Sequence, residues 1–250
     1  MDKPFGAAEP SIEHAVAELQ GRLDGLPAGL DTRRTFIATY LRTTVAVGRA
    51  IDEAFFEDPD WVVRWDAVFA DLFLVAHDAD LRGDIPPRPW RLAFAAPPEL
   101  RSLQHLLLGI NAHINYDLPQ ALLAVITDEE FTDPVLIERR RRDHERIDAV
   151  LSARVSAEDV ELGGVRSLLD RLLTPANRMG SKRFLREARQ KVWLNTFSLQ
   201  EARLAGPWVY RHRLAELELL AAAKIADLTA PGQVVLRLAA GGFGVVLPPP

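Results

Sequence analysis

The sequence predicts an all-α protein, a single-domain multi-helix bundle over residues 1–232 followed by a tail at 233–250. Three observations carry this. Apolar residues recur at helical spacing through most of the chain, and period-two alternation is nearly absent before residue 230. The 48% hydrophobic content of the 250 residues is enough to bury a substantial core.

The elements follow in order from the breakers between them. Ser11 is placed to N-cap a short amphipathic helix, "SIEHAVAELQGRLDGL", that stops near Gly25, Leu26 and Pro27. A longer helix spans about Thr32 to Phe56, and "EDPDW" makes the turn after it. The next helix sets Trp61, Trp65, Val68, Leu72 and Ala76 along one stripe with Phe69 and Phe73 beside it, a face wide enough to need several neighbours. "RGDIPPRPWRLAFAAPPEL" reads as an ordered, extended, proline-rich crossover, because Trp90 and Phe94 give it something to bury. Helices are then expected from about Pro98 to Tyr116, after Pro119, and from about Asp133 to Ala153. "SAEDVELGG" reads as a surface connection and "VRSLLDRLL" as a short helix. Ser181 is placed to cap a long helix running to Leu204, and "YRHRLAELELLAAAKIADL" forms the last. The tail "GQVVLRLAAGGFGVVLPPP" has two valine-rich runs around "AAGG", which fits either a small C-terminal β-hairpin on the bundle or a segment that orders only against a partner chain.

Composition excludes several classes. A net charge of −5 disfavours nucleic acid and membrane surfaces as partners. The basic run "ERRRRDHER" is bounded by acids and reads as a solvated helix face, with His144 and Asp148 as a surface pair. The absence of cysteine removes disulfides, thiolate metal sites and a cysteine nucleophile. There is no leader-like N-terminus and no run of eighteen apolar residues, so a cytoplasmic protein is expected.

The stretch that carries chemistry is "GINAHINYDLP", with Asn111, His113, Asn115 and Asp117 at alternate positions beside "LLLG". On a helix His105, His113 and Asp117 fall at roughly 0°, 80° and 120° and share one side. His113 and Asp117, four apart, can reach one ion or one hydrogen-bonded partner. A structural account is available: Asp117 caps a helix before Pro119, His113 is fixed by a carboxylate and a carbonyl, and Asn111 and Asn115 satisfy carbonyls loosened by the proline. Capping needs only one of the four, however, and an unpartnered buried Asn or His costs about 1–3 kcal/mol. Gly109, at about 1 kcal/mol relative to Ala, marks the close approach of a helix or a ligand. His77 reads as a partly exposed helix-end histidine, with a lesser role as a ligand. Arg186 and Arg189 are placed to bind a carboxylate or to pair with Asp117, while Trp193 and Phe197 pack.

The combination of "PPRPWRLAF", "HLLLGINAHINYDLP" and "REARQKVWLNTFSL" resembles a group of uncharacterised bacterial all-helical proteins classified only as a domain of unknown function, over roughly Arg34 to Arg203. The resemblance implies one helical domain with the polar helix as its hallmark, and no mechanism. A weaker likeness is to the zinc-dependent phospholipase C and single-strand nuclease group, in which a histidine and an aspartate four residues later bind zinc, as His113 and Asp117 are spaced here. That group has a further histidine shortly after, where this chain has Leu123.

Two classes of function result. The first is an enzyme acting on a largely apolar small-molecule substrate between helices, lined by Trp90, Arg186 and Trp193. His113 and Asp117, with His105 or His77, hold a divalent metal, zinc or iron, for a hydrolase or oxygenase. Without metal they act as an acid/base pair, with Asn111 and Asn115 on a substrate oxygen, as in a cyclase or isomerase. The second is a non-catalytic ligand-binding or protein-interaction protein whose polar helix is structural. A homo-oligomer is compatible with both.

Overall fold

The computed structural model describes residues 11–161, 178–230 and 242–249. Its regular secondary structure is helical: α1 (Ile12–Asp24), α2 (Asp31–Asp52), α3 (Pro59–Leu81), α4 (Arg88–Phe94), α5 (Ser102–Ala112), α6 (Leu118–Val125), α7 (Asp128–Thr132), α8 (Pro134–Glu161), α9 (Arg178–Ala205) and α10 (Pro207–Thr229). No helix among the described residues is long and apolar enough to cross a membrane.

Local chemistry sets several of the boundaries. Ser11 accepts from the His14 N–H at 3.1 Å and starts α1. Asp58 does the same for the Trp61 N–H at 3.0 Å, with Pro59 in the first turn of α3. Helix α2 stops at Asp52, short of Phe56, because Ala54 turns to a φ of 54°. Gly206 takes a φ of 130°, which glycine adopts without a Cβ clash, and Pro207 opens α10.

Other expectations are corrected. The proline-rich crossover is not extended throughout, since Arg88–Phe94 closes into α4 and buries Pro89 and Trp90. Ser181 does not stand at a helix start, because α9 already begins at Arg178. Residues 156–161 continue α8 where a surface connection was expected; "VRSLLDRLL" lies outside the described residues. The hairpin is not supported: no strand occurs among the described residues, and 242–249 run beside the bundle without one. Residues 231–241, with the first valine run, lie outside the described residues.

The bundle is organised around α5 and α6, joined end to end. Leu106, Leu108, Leu118 and Leu122 are fully buried, and the helices pack against α2, α3, α4, α9 and α10. A helix apolar on all sides belongs at the centre of a bundle. Gly109 sits where α2 presses in: a Cβ there would lie 2.5 Å from Cδ2 of Phe36. Gly109→Ala is therefore expected to lower stability by about 1–3 kcal/mol, read as a lower urea midpoint. The α3 stripe is rotated from the predicted one, with Trp65, Phe69 and Phe73 facing inward and Val68 and Leu72 at its margin.

The charged run of α8 is only partly solvated. Asp143 is fully buried and accepts from the Glu57 and Asp58 N–H groups, both at 2.8 Å. Arg140, also buried, donates to Asp58 at 2.6 Å and to Glu130. The turn before α3 needs acceptors for its amides, and α8 brings them. His144 is likewise buried, stacked on Trp193 with ring centroids 5.6 Å apart, while Asp148 pairs with Arg189.

Candidate functional site

Pro119 has no N–H, and in an uninterrupted α-helix its ring would meet the carbonyl four residues back, that of Asn115. The chain avoids this by widening over His113–Asp117 into a π-turn, in which the Leu118 N–H donates to the His113 carbonyl. Asp117 stands before α6 yet makes no capping bond. Its Oδ2 accepts from Trp90 Nε1–H at 2.8 Å and lies 2.8 Å from His113 Nδ1. Indole nitrogen can only donate, so Oδ2 accepts from Trp90, and an ionised Asp117 accepts from His113 as well, whose proton then sits on Nδ1.

Aromatic rings enclose this pair. The Phe69 ring stacks on the His113 imidazole at 3.5 Å and 7°, and Tyr40 meets its edge at 4.6 Å. Phe36, Phe73 and Trp90 complete the cage at 5.8–6.1 Å. His113 is 4% exposed and Asp117 2%. Burial lowers the His113 pKa and raises that of Asp117; their mutual hydrogen bond opposes both shifts. His113 Nε2, the Tyr40 hydroxyl and Asp66 Oδ2 are buried with no partner among the described residues.

Asp66 has a consequence of its own. Burial pushes its carboxyl up to about 7. The unfolded chain releases this proton near pH 4 and the folded chain near pH 7, so stability is greatest below pH 4 for this group and falls as pH rises towards 7. Asp66→Asn is expected to flatten that slope and to melt higher than the parent at pH 7.5, a difference that thermal melts across pH 4–8 would show.

Asn111 and Asn115 look the other way, onto residues 242–249. Both Nδ2 groups donate to the Phe243 carbonyl at 3.1 Å, and Asn115 Oδ1 accepts from the Val245 N–H at 3.1 Å. Across the cleft, Asn195 of α9 donates to the Val245 carbonyl and accepts from the Leu247 N–H, both at 2.9 Å. Lys191 reaches the Gly244 carbonyl at 3.1 Å, and Arg213 of α10 donates to the Pro248 carbonyl. These bonds alternate along the segment with the two-residue period of extended backbone.

The remaining candidates are dispersed. His105 is buried and, with Trp90, Phe36, Phe94, Arg33 and Gly109, lines a half-open cavity of about 20 Å³, room for one or two water molecules. His77 is buried, not partly exposed, packed beside Phe73 and Phe94 because α4 folds over the end of α3. Trp193 stacks on His144, away from the His113 cage, and Arg189 pairs with Asp148 rather than Asp117. The side chain of Arg186 falls outside the described residues. Among the described residues, no group of three or more His, Asp or Glu side chains is placed to hold a metal ion.

Sequence reasoning missed Asn195 and Arg213, and the Phe69 and Tyr40 walls of the cage. Asn195 did leave a signal, as an amide among the apolar residues of "KVWLNTFSL".

No curated protein and no solved structure matches the chain. A family model does match, over residues 12–231, which include every cage residue and the three asparagines while residues 242–249 lie beyond. By that match over most of its length, the chain belongs to the family of unknown function DUF5995.

Proposed function

We propose that this is a non-catalytic binding protein whose polar helix is structural. One observation carries the reading: each polar side chain of the 111–117 cluster is held by a partner within the protein, Asp117 on Trp90 and His113, and both asparagine amides on Phe243. His113 and Asp117 pin the π-turn against α3 and α4. The asparagines, on the opposite side, hold a segment that is remote in sequence. The apolar residues around the pair act as its insulation, so the interaction is strong and closed to solvent.

Elemental analysis of protein purified without added metal, with His113→Gln beside the parent, tests this. The substituted glutamine retains a donor for Asp117 and loses the ring stack, so a stability loss of about 1–2 kcal/mol is expected with no stoichiometric metal in either protein. Zinc or iron at one per chain, lost in His113→Gln, would sink the reading.

A second reading, an acid/base enzyme acting on an apolar small molecule, is favoured by the unpartnered His113 Nε2. Such a base must open to its substrate. Rapid acylation of His113 by diethyl pyrocarbonate in the folded protein would support it, whereas the closed cage predicts protection matching that of buried His144.

A further inference from the structure

We propose that the cleft between the π-turn, α9 and α10 is a recognition site for an extended, uncharged, glycine-containing apolar segment of another protein, occupied in cis by residues 242–249. This rests on the reading that the polar helix binds rather than catalyses. Asn115 takes the Phe243 carbonyl and the Val245 N–H; Asn195 takes the Val245 carbonyl and the Leu247 N–H. Two side chains two positions apart along the segment thus repeat one contact, as a neighbouring strand would. Such contacts recognise main chain, so any segment able to lie extended in the cleft can make them.

Selectivity comes from the walls. A Cβ at Gly244 would lie 2.7 Å from Lys191 Cδ and 3.1 Å from Ala188 Cα, and one at Gly242, whose φ is 68°, would lie 2.7 Å from Glu187 Oε1. Phe243 is buried in the main core, and Leu247 is buried with Tyr116, Leu123, Leu199 and Leu217. Val246 is 42% exposed. The preferred occupant therefore reads glycine, large apolar, glycine, apolar, any residue, large apolar. A charged side chain at the second or sixth place would be buried without a partner.

The cleft also retains unused capacity. Asn111 is fully buried, and its Oδ1 has no partner among the described residues although its Nδ2 is engaged on Phe243. A bound segment with a donor at that end would satisfy an acceptor that residues 242–249 leave open. The reading side chains Asn111, Asn115, Lys191, Asn195 and Arg213 all lie within the family match, and the resident segment does not.

The test uses the full chain with Gly244→Val, which disfavours the resident segment and leaves every reading side chain in place. The probe is a fluorescein-labelled peptide of residues 242–249, followed by anisotropy. It is expected to bind Gly244→Val at least about tenfold more tightly than the parent, whose own segment competes. Adding Asn195→Ala should weaken binding about 10–100-fold through the loss of two hydrogen bonds. A peptide with valine at the 244 position should fail to bind. No binding to folded Gly244→Val, indifference to Asn195→Ala, or equal binding of the valine peptide would each overturn the proposal. If Gly244→Val does not fold, the parent serves: excess unlabelled peptide should accelerate hydrogen exchange at the Leu247 amide, and an unchanged rate at millimolar peptide overturns it. Metal at His113 would defeat the binding-protein reading without altering these affinities, so the two failures are distinguishable.

Discussion

Replacing Asp117 by alanine should lower the unfolding free energy by about 3–5 kcal/mol, because it leaves a buried partner of the pair without its counterpart. The substitution strands two donors at once, Trp90 Nε1–H and His113 Nδ1–H, both at 2.8 Å from one oxygen. Aromatic rings surround them, Phe69 against His113, and Phe36 and Phe73 against Trp90. Asp117→Asn is the informative companion. Its amide oxygen accepts both hydrogen bonds and only the charge is lost, so about 1–2 kcal/mol is expected. Urea titration of both variants measures the difference. Equal losses would mean that the charge, and not the acceptor, is what the cage requires.

Asp143→Ala is expected to cost about 2–5 kcal/mol, from two amides left without acceptors. Its carboxylate receives the Glu57 and Asp58 N–H groups and pairs with Arg146 at 3.1 Å. Those amides belong to the turn that launches α3, so the damage should reach the helix carrying Phe69. Hydrogen exchange would locate it: the amides of 57 and 58 should exchange faster, and α1 should be little affected. A change within about 0.5 kcal/mol, as for an ordinary surface charge, would show the bond pair to be redundant.

Much of the fold was legible because helical period and breakers are local. Ser11, Pro59 and Pro207 act on neighbours within a turn, and Gly109 was read as a close approach, which proves to be Phe36 of α2. The site was legible in part. The spacing of His113 and Asp117 gave their contact, but nothing local shows that the third member is Trp90, 27 residues earlier. Asn111 and Asn115 were conspicuous as amides beside leucines, yet their partners lie 132 and 128 residues away. The same limit explains Asp143 and His144. A charge in a basic run looks solvated until a distant turn, 86 residues removed for Asp143, is folded against it.

The π-turn has a further meaning for the layout of the bundle. One residue added to a helical turn rotates everything after it by about 100° about the axis. Helix α5 faces α2 and α10, whereas α6 faces α3 and α9, so a single rod serves two sets of neighbours through a change of phase. The spacing between Ala112 and Leu118 is thus a dimension of the molecule, and its side chains are free to vary only within that fixed length.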